Sequence, residues 1–123
     1  MIIAIDFDGS CVKHSYPEIG EDIGAVPVLK ELVNKGHHLI LYTMRSDETL
    51  NDAVNWFNVH NIPLYGINEN KTQNTWTSSQ KVYANLYIDD ATLGCPLIQH
   101  NIEDRPYIDW IKVREYLENN GII

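Results

Sequence analysis

Apolar positions along the chain fall into short uninterrupted runs that alternate with stretches of helical spacing. Residues 1–5, Met-Ile-Ile-Ala-Ile, form the first run and stop abruptly at Asp6. An Ile-rich run of this kind is the pattern of a parallel strand buried on both faces. After a polar stretch holding Pro17, Gly20 and Gly24, residues 27–35 place Val28, Leu29, Leu32 and Val33 on one helical face. Pro27 suits the first turn and Gly36 the position past the last one. Residues 38–42 read as a second buried strand that stops at Thr43. Ser46 is an N-cap residue, Asp47 and Glu48 suit the positive end of a helix, and Leu50, Ala53, Val54 and Phe57 continue the spacing until Pro63. Residues 64–67 are a short strand candidate, and residues 68–79, which include Trp76, show no readable period. Residues 82–88 are apolar again and end at Asp89-Asp90. The last helix begins near Asp109, with Trp110, Val113 and Leu117 on one face, Arg105-Pro106-Tyr107 anchoring its start, and Gly121 beyond its end.

Strands that alternate with helices predict an α/β domain with a mainly parallel sheet, because parallel neighbours need crossover connections. The length of 123 residues fits a single domain over residues 1–123. In open α/β sheets ligands bind outside the carboxyl ends of the strands. Three predicted strands end there in Asp6, Thr43 and Asp89-Asp90, so polar groups distant in sequence are expected to meet at one edge.

Composition narrows the function classes. An apolar share of 44% with 21% charged residues suits a folded globule and argues against disorder. The net charge of -8 has the wrong sign for reading a phosphate backbone, so sequence-specific nucleic acid is disfavoured as a partner. Cys11 and Cys95 have neither CxxC spacing nor metal-type His neighbours, which suits a reducing, cytoplasmic compartment. No run approaches the roughly 20 apolar residues of a membrane span. The expectation is a soluble protein without a membrane partner.

The segment Asp6-Phe7-Asp8-Gly9-Ser10 directly follows the first strand. Two carboxylates one residue apart can divide a phosphoryl transfer, one attacking phosphorus and the other moving protons. Taken alone, the same five residues also make an ordinary Asx-type turn. An EF-hand loop starting at Asp6 fails, since Cys11 stands at its Gly position and Pro17 at its terminal Glu position. His14, His37, His38, His60 and His100 lack the HxxxH or HExxH spacing of imidazole metal sites. Cys11 has no visible partner base and reads as packing. Arg45 reads either as a contact for substrate phosphate or as an exposed residue at a helix start.

The pattern as a whole resembles the phosphatase branch of the haloacid dehalogenase-like superfamily, over most of the chain. Residues 2–10 look like its first motif, and the resemblance makes Asp6 the nucleophile and Asp8 the general acid/base. Residues 39–43 resemble the second motif, in which the Thr43 hydroxyl helps hold the phosphoryl group. Residues 86–90 resemble the acidic fourth motif, so Asp89 and Asp90 join Asp6 and Asp8 around a magnesium ion. The third motif is a lysine, assigned to Lys81 with Lys71 as the competitor. An Asp at the second position of the first motif points away from the dehalogenase branch.

The resemblance implies a three-layer Rossmann-like domain that works through an aspartyl phosphate on a phosphorylated substrate. Neither gap between motifs has room for a cap domain, so the site is expected to be open or covered by another copy in a homo-oligomer. Two other classes remain at this point: a receiver-like phosphoacceptor, and a binding protein for phospho-ligands without turnover.

Overall fold

The computed structural model describes all residues from Met1 to Ile123. Four strands, β1 (Ile2–Ile5), β2 (His38–Leu41), β3 (Gly66–Ile67) and β4 (Leu86–Ile88), form one parallel sheet in the order β3-β2-β1-β4. The expected α/β class and parallel sheet are present, in an arrangement compatible with a Rossmann-like fold. Helices α1 (Ala25–Asn34) and α2 (Asp47–Val59) are the crossovers on one side of β1. The chain then passes back across the sheet to place β4 on the other side of β1. Receiver sheets instead set their third strand beside the first, on the side away from the second. The order here removes the topological support for that alternative.

Strand residues of one parity, Ile3, Ile5, Leu39, Leu41 and Ile88, share a single buried core with apolar residues of α1, α2 and α3 (Trp110–Asn119). Successive strand residues point to opposite faces, and the residues of the other parity, Ala4, Ile40 and Tyr87, stand in register with one another outside that core. Their face is covered by the β3–β4 connection, whose only helical element is the 3-10 turn Gln73–Thr75. The expected three layers are therefore a helical layer, a sheet, and a layer of connecting chain.

That connection explains why residues 82–85 did not become strand despite their apolar sequence. Backbone groups of residues 82–84 bond to side chains instead of a ladder, and only Asn85 N reaches the β1 backbone, at Ile2 O. The Gln73 amide oxygen accepts from Tyr83 N at 2.7 Å, and its Nε2 donates to Lys81 O at 2.7 Å and Ser79 O at 3.0 Å. The Tyr87 hydroxyl accepts from Ala84 N at 3.2 Å. Side chains that offer the backbone such partners compete with regular structure.

Helix α1 starts at Ala25, two residues before the expected Pro27, after Gly24 in the left-handed region. Ser46 precedes α2, yet its side chain makes no capping bond; the Thr49 hydroxyl donates back to Ser46 O at 2.8 Å. Asp109 caps α3 as expected, its carboxylate accepting from Ile111 N and Lys112 N.

Between β4 and α3 lies an antiparallel ribbon of β5 (Leu97–Ile98) and β6 (Tyr107–Ile108), which the sequence pattern did not disclose. It ties the end of the chain to the loop after β1: Ile108 N donates to Gly9 O at 2.9 Å and the buried Trp110 indole donates to Ser10 O at 2.8 Å. Replacing Trp110 by Phe keeps most of the packing and deletes that indole donor. We expect Trp110→Phe to cost about 1–2 kcal/mol in urea denaturation. A wild-type midpoint and slope would show that the indole bond does not hold this loop.

Candidate active site

Parallel pairing matches Ile5 with Ile88, so the next residues, Asp6 and Asp89, leave adjacent strands side by side. Asp90 joins them, and one carboxylate oxygen from each of Asp6, Asp89 and Asp90 lies within 4.8 Å of the others. Ser10 is the pin of this group. Its hydroxyl lies 2.8 Å from Asp6 Oδ2 and 3.2 Å from Asp90 Oδ1, and it also accepts from Asp90 N at 3.1 Å. Asp89 accepts from Ala91 N at 2.8 Å, closing a tight turn after β4.

On the other side of Asp90, His14 Nε2 stands 2.8 Å from Oδ2. This approach requires glycine at position 9, where φ is +83° and a Cβ would sit 2.1 Å from His14 Nε2 and 2.6 Å from Asp90 Oδ2. The spacing of His14 carries no sign of this role, because its contact with Asp90 spans 76 positions and leaves no local signal.

Asp8 is placed differently from the expectation that it shares the metal site. Its carboxylate is not in the acidic group; both of its oxygens are occupied by Arg45, with Nε donating to Oδ2 at 2.8 Å and a terminal nitrogen to Oδ1 at 2.7 Å. Arg45 corrects the sequence reading too, because it is buried, only 3% exposed, and its contacts are internal. Its remaining donors reach Pro17 O, Glu18 O and Thr49 O, and the guanidinium lies 5.0 Å from the Phe7 ring and 5.2 Å from that of Tyr16. The Asp8 bonds push its pKa further up, so it is a permanent cation. Arg45 therefore ties the segment after the Asp6–Ser10 loop to the start of α2.

A cavity of about 370 Å³ opens beside Asp6 and Asp89 on the helix-free face, with Ala4 in its wall and Tyr42, Tyr87 and Lys81 around it. The small Ala4 side chain leaves this space. Lys81 borders the cavity, whereas Lys71 does not, and its Nζ lies 5.7 Å from the centre of the Tyr87 ring. Thr43 is not among the lining residues; its hydroxyl accepts from Arg45 N at 3.1 Å and its own N donates to Asn68 at 2.8 Å. Cys11 is fully buried with its thiol near Asp6 O, and burial pushes its pKa well up, in keeping with packing.

Electrostatically the group is strained. Burial raises the Asp6 pKa from 3.8 to about 8, the Ser10 bond opposes this, and the charges of Asp89 and Asp90 add to it. Asp89 is raised as well, first by burial and then by Asp90. Oxygen donors only, with a deficit of positive charge, are the donor set that a hard divalent cation satisfies.

No protein-family model and no curated protein matches this chain. A solved structure does: a conserved protein from Bacteroides thetaiotaomicron is 36% identical, with a TM-score of 0.76, and the match covers 98% of this chain and 91% of that one. No helix is long and apolar enough to cross a membrane.

The raised Asp6 value has a thermodynamic consequence without metal. The folded protein keeps the Asp6 proton up to about pH 8, whereas the unfolded chain releases it near pH 4. Between these values the unfolded state binds fewer protons, so this group makes stability fall as pH rises. In EDTA, thermal melts from pH 5 to pH 8 should show a decline that is smaller in Asp6→Asn. Equal slopes in the two proteins would mean that Asp6 ionises in the folded state as it does in water.

Proposed function

We propose, for a chain that belongs to the same family as the conserved Bacteroides thetaiotaomicron protein, the activity of a magnesium-dependent phosphoric monoester hydrolase of the haloacid dehalogenase-like type, capless and acting through phosphorylated Asp6. The observation that carries this reading is the meeting of Asp6, Asp89 and Asp90 within 4.8 Å at the ends of β1 and β4. Lys81 on the rim of the adjoining cavity supplies a nearby cation.

Asp6, Asp89 and Asp90 are the residues that would hold the magnesium ion. When bound, that ion supplies charge compensation for the transferring phosphoryl oxygens. The chain's own groups do the rest. Ser10 fixes the orientation of the Asp6 carboxylate, which attacks phosphorus: the Asp6 O–P bond forms as the ester P–O bond breaks. Asp8 gives a proton to the departing alkoxide. In the second displacement Asp8 takes a proton from water, the water oxygen bonds to phosphorus, and the Asp6 O–P bond breaks to release phosphate. Lys81 draws the dianion to the cavity. Asp8 must first give up one of its two Arg45 bonds, which makes Arg45 the group that positions it. Thr43, placed at the end of β2, is the proposed hydroxyl contact to the phosphoryl group.

The Asp8–Arg45 pair also favours a second reading, a protein that binds phosphorylated ligands without turnover, because both Asp8 oxygens are engaged. Turnover separates the two. Purified protein should hydrolyse 4-nitrophenyl phosphate with magnesium and not with EDTA. Asp6→Asn should be inactive, and Asp8→Asn slower by about 10²–10⁴-fold. Activity of Asp6→Asn at the wild-type level would remove the covalent route.

Metal binding has its own readout. Magnesium at about 100 times its dissociation constant should stabilise the fold by roughly 2.7 kcal/mol. Asp89→Asn should melt slightly higher than wild type in EDTA, through relieved repulsion, and lose most of the magnesium increment. An equal increment in both proteins would show that Asp89 is not a ligand.

A further inference from the structure

Lys81 and Tyr87 also border a second cavity of about 290 Å³, whose far wall carries Trp76 and Tyr83. The two cavities thus share a border of Lys81 and Tyr87, with the acidic group beside one and an aromatic shelf beside the other. Its rings are unusually open for their size: Trp76 is 63% exposed and Tyr83 40%, and on the near side Tyr42 is 40% exposed. Trp76 and Tyr83 stand edge to face, with centroids 5.5 Å apart and planes at 87°. Tyr42 and Tyr87 form a second, tilted pair at 6.4 Å.

The backbone beneath the shelf is fixed although it lies on a connection without regular structure. Buried Gln73 bonds to the backbone of Ser79, Lys81 and Tyr83, and buried Asn70 donates to Tyr83 O at 3.0 Å. Tyr87 is fixed at its hydroxyl by Val82 O and Ala84 N. Preorganised aromatic faces beside a cationic group suit a planar ring joined to an anion, since stacking needs no further ordering of the protein.

We propose that this shelf is the leaving-group subsite of the active site, selecting phosphate monoesters whose alcohol carries a planar aromatic ring. The proposal rests on the hydrolase reading for its phosphoryl end. The phosphate meets Lys81 at the border the two cavities share, and the ring lies against Trp76 and Tyr83. A nucleoside 5′-phosphate and an aryl phosphate share this chemistry.

The test compares adenosine 5′-phosphate, phenyl phosphate and glycerol phosphate in turnover with magnesium and, separately, in calorimetric binding, for wild type and Trp76→Ala. At least one ring-bearing ester should have a KM about tenfold below that of glycerol phosphate. Trp76→Ala should erase that advantage in KM, with the melting temperature unchanged. An advantage confined to the nucleotide identifies a base on ribose as the occupant, and one confined to phenyl phosphate a directly attached ring. Hydrolysis without ring preference, a preference that survives Trp76→Ala, or an equal loss for all three esters overturns the subsite and leaves the hydrolase standing. Ring-dependent, Trp76-dependent binding without hydrolysis of any ester overturns the hydrolase and keeps the subsite. Neither hydrolysis nor ring-dependent binding overturns both.

Discussion

Like charges that must be held together set the terms for this structure. Parallel pairing of β1 with β4 drives Asp6 and Asp89 out of adjacent strands at the same level, and Asp90 follows. Burial and mutual repulsion raise the cost of ionising Asp6, so the loop that carries it needs strong outside support. The Ser10 hydroxyl bridges the carboxylates of Asp6 and Asp90, His14 engages the other oxygen of Asp90, and Gly9 has no side chain where His14 and Asp90 approach. The support extends to the end of the chain, since Ile108 and Trp110 bond to the carbonyls of Gly9 and Ser10.

Arg45 could have relieved the repulsion and does not. It is spent on Asp8, one residue beyond Phe7, in a two-pronged ion pair with its other donors on backbone carbonyls. Removing one partner of a buried pair leaves an uncompensated charge, which is far costlier than the pair's net worth. The pair therefore divides the loop after β1 into two electrostatic compartments: a satisfied one around Asp8 and a cation-deficient one around Asp6.

The two faces of the sheet differ in the same way. One carries three helices on a continuous apolar core. The other carries Ala4, Tyr42 and Tyr87 beneath a connection pinned by Asn70 and Gln73, and leaves cavities. The cavities that Lys81 borders lie on this face, whose layer is built from side chain-to-backbone bonds.

Local pattern along the chain was enough to place several elements. Uninterrupted apolar runs at residues 1–5 and 38–42 marked buried parallel strands, the spacing of Val28, Leu29 and Leu32 marked a helix, and Asp109 marked a helix start; each appears near the expected place. The placement of Asp6 and Asp89 at strand ends was equally legible, since a charge that interrupts an apolar run marks where the strand leaves the sheet. The rest was set by contacts between residues far apart in the chain. The apolar run at residues 82–88 shortened to Leu86–Ile88 because Gln73 and Tyr87 took its backbone partners. Asp8 left the acidic group because Arg45, 37 positions away, reached it first. Lys81 rather than Lys71 came to the cavity because of the same Gln73 bonds. Each of these depends on a hydrogen bond or ion pair between residues without periodic spacing, and periodicity is the only signal that a single sequence carries about partners distant along the chain.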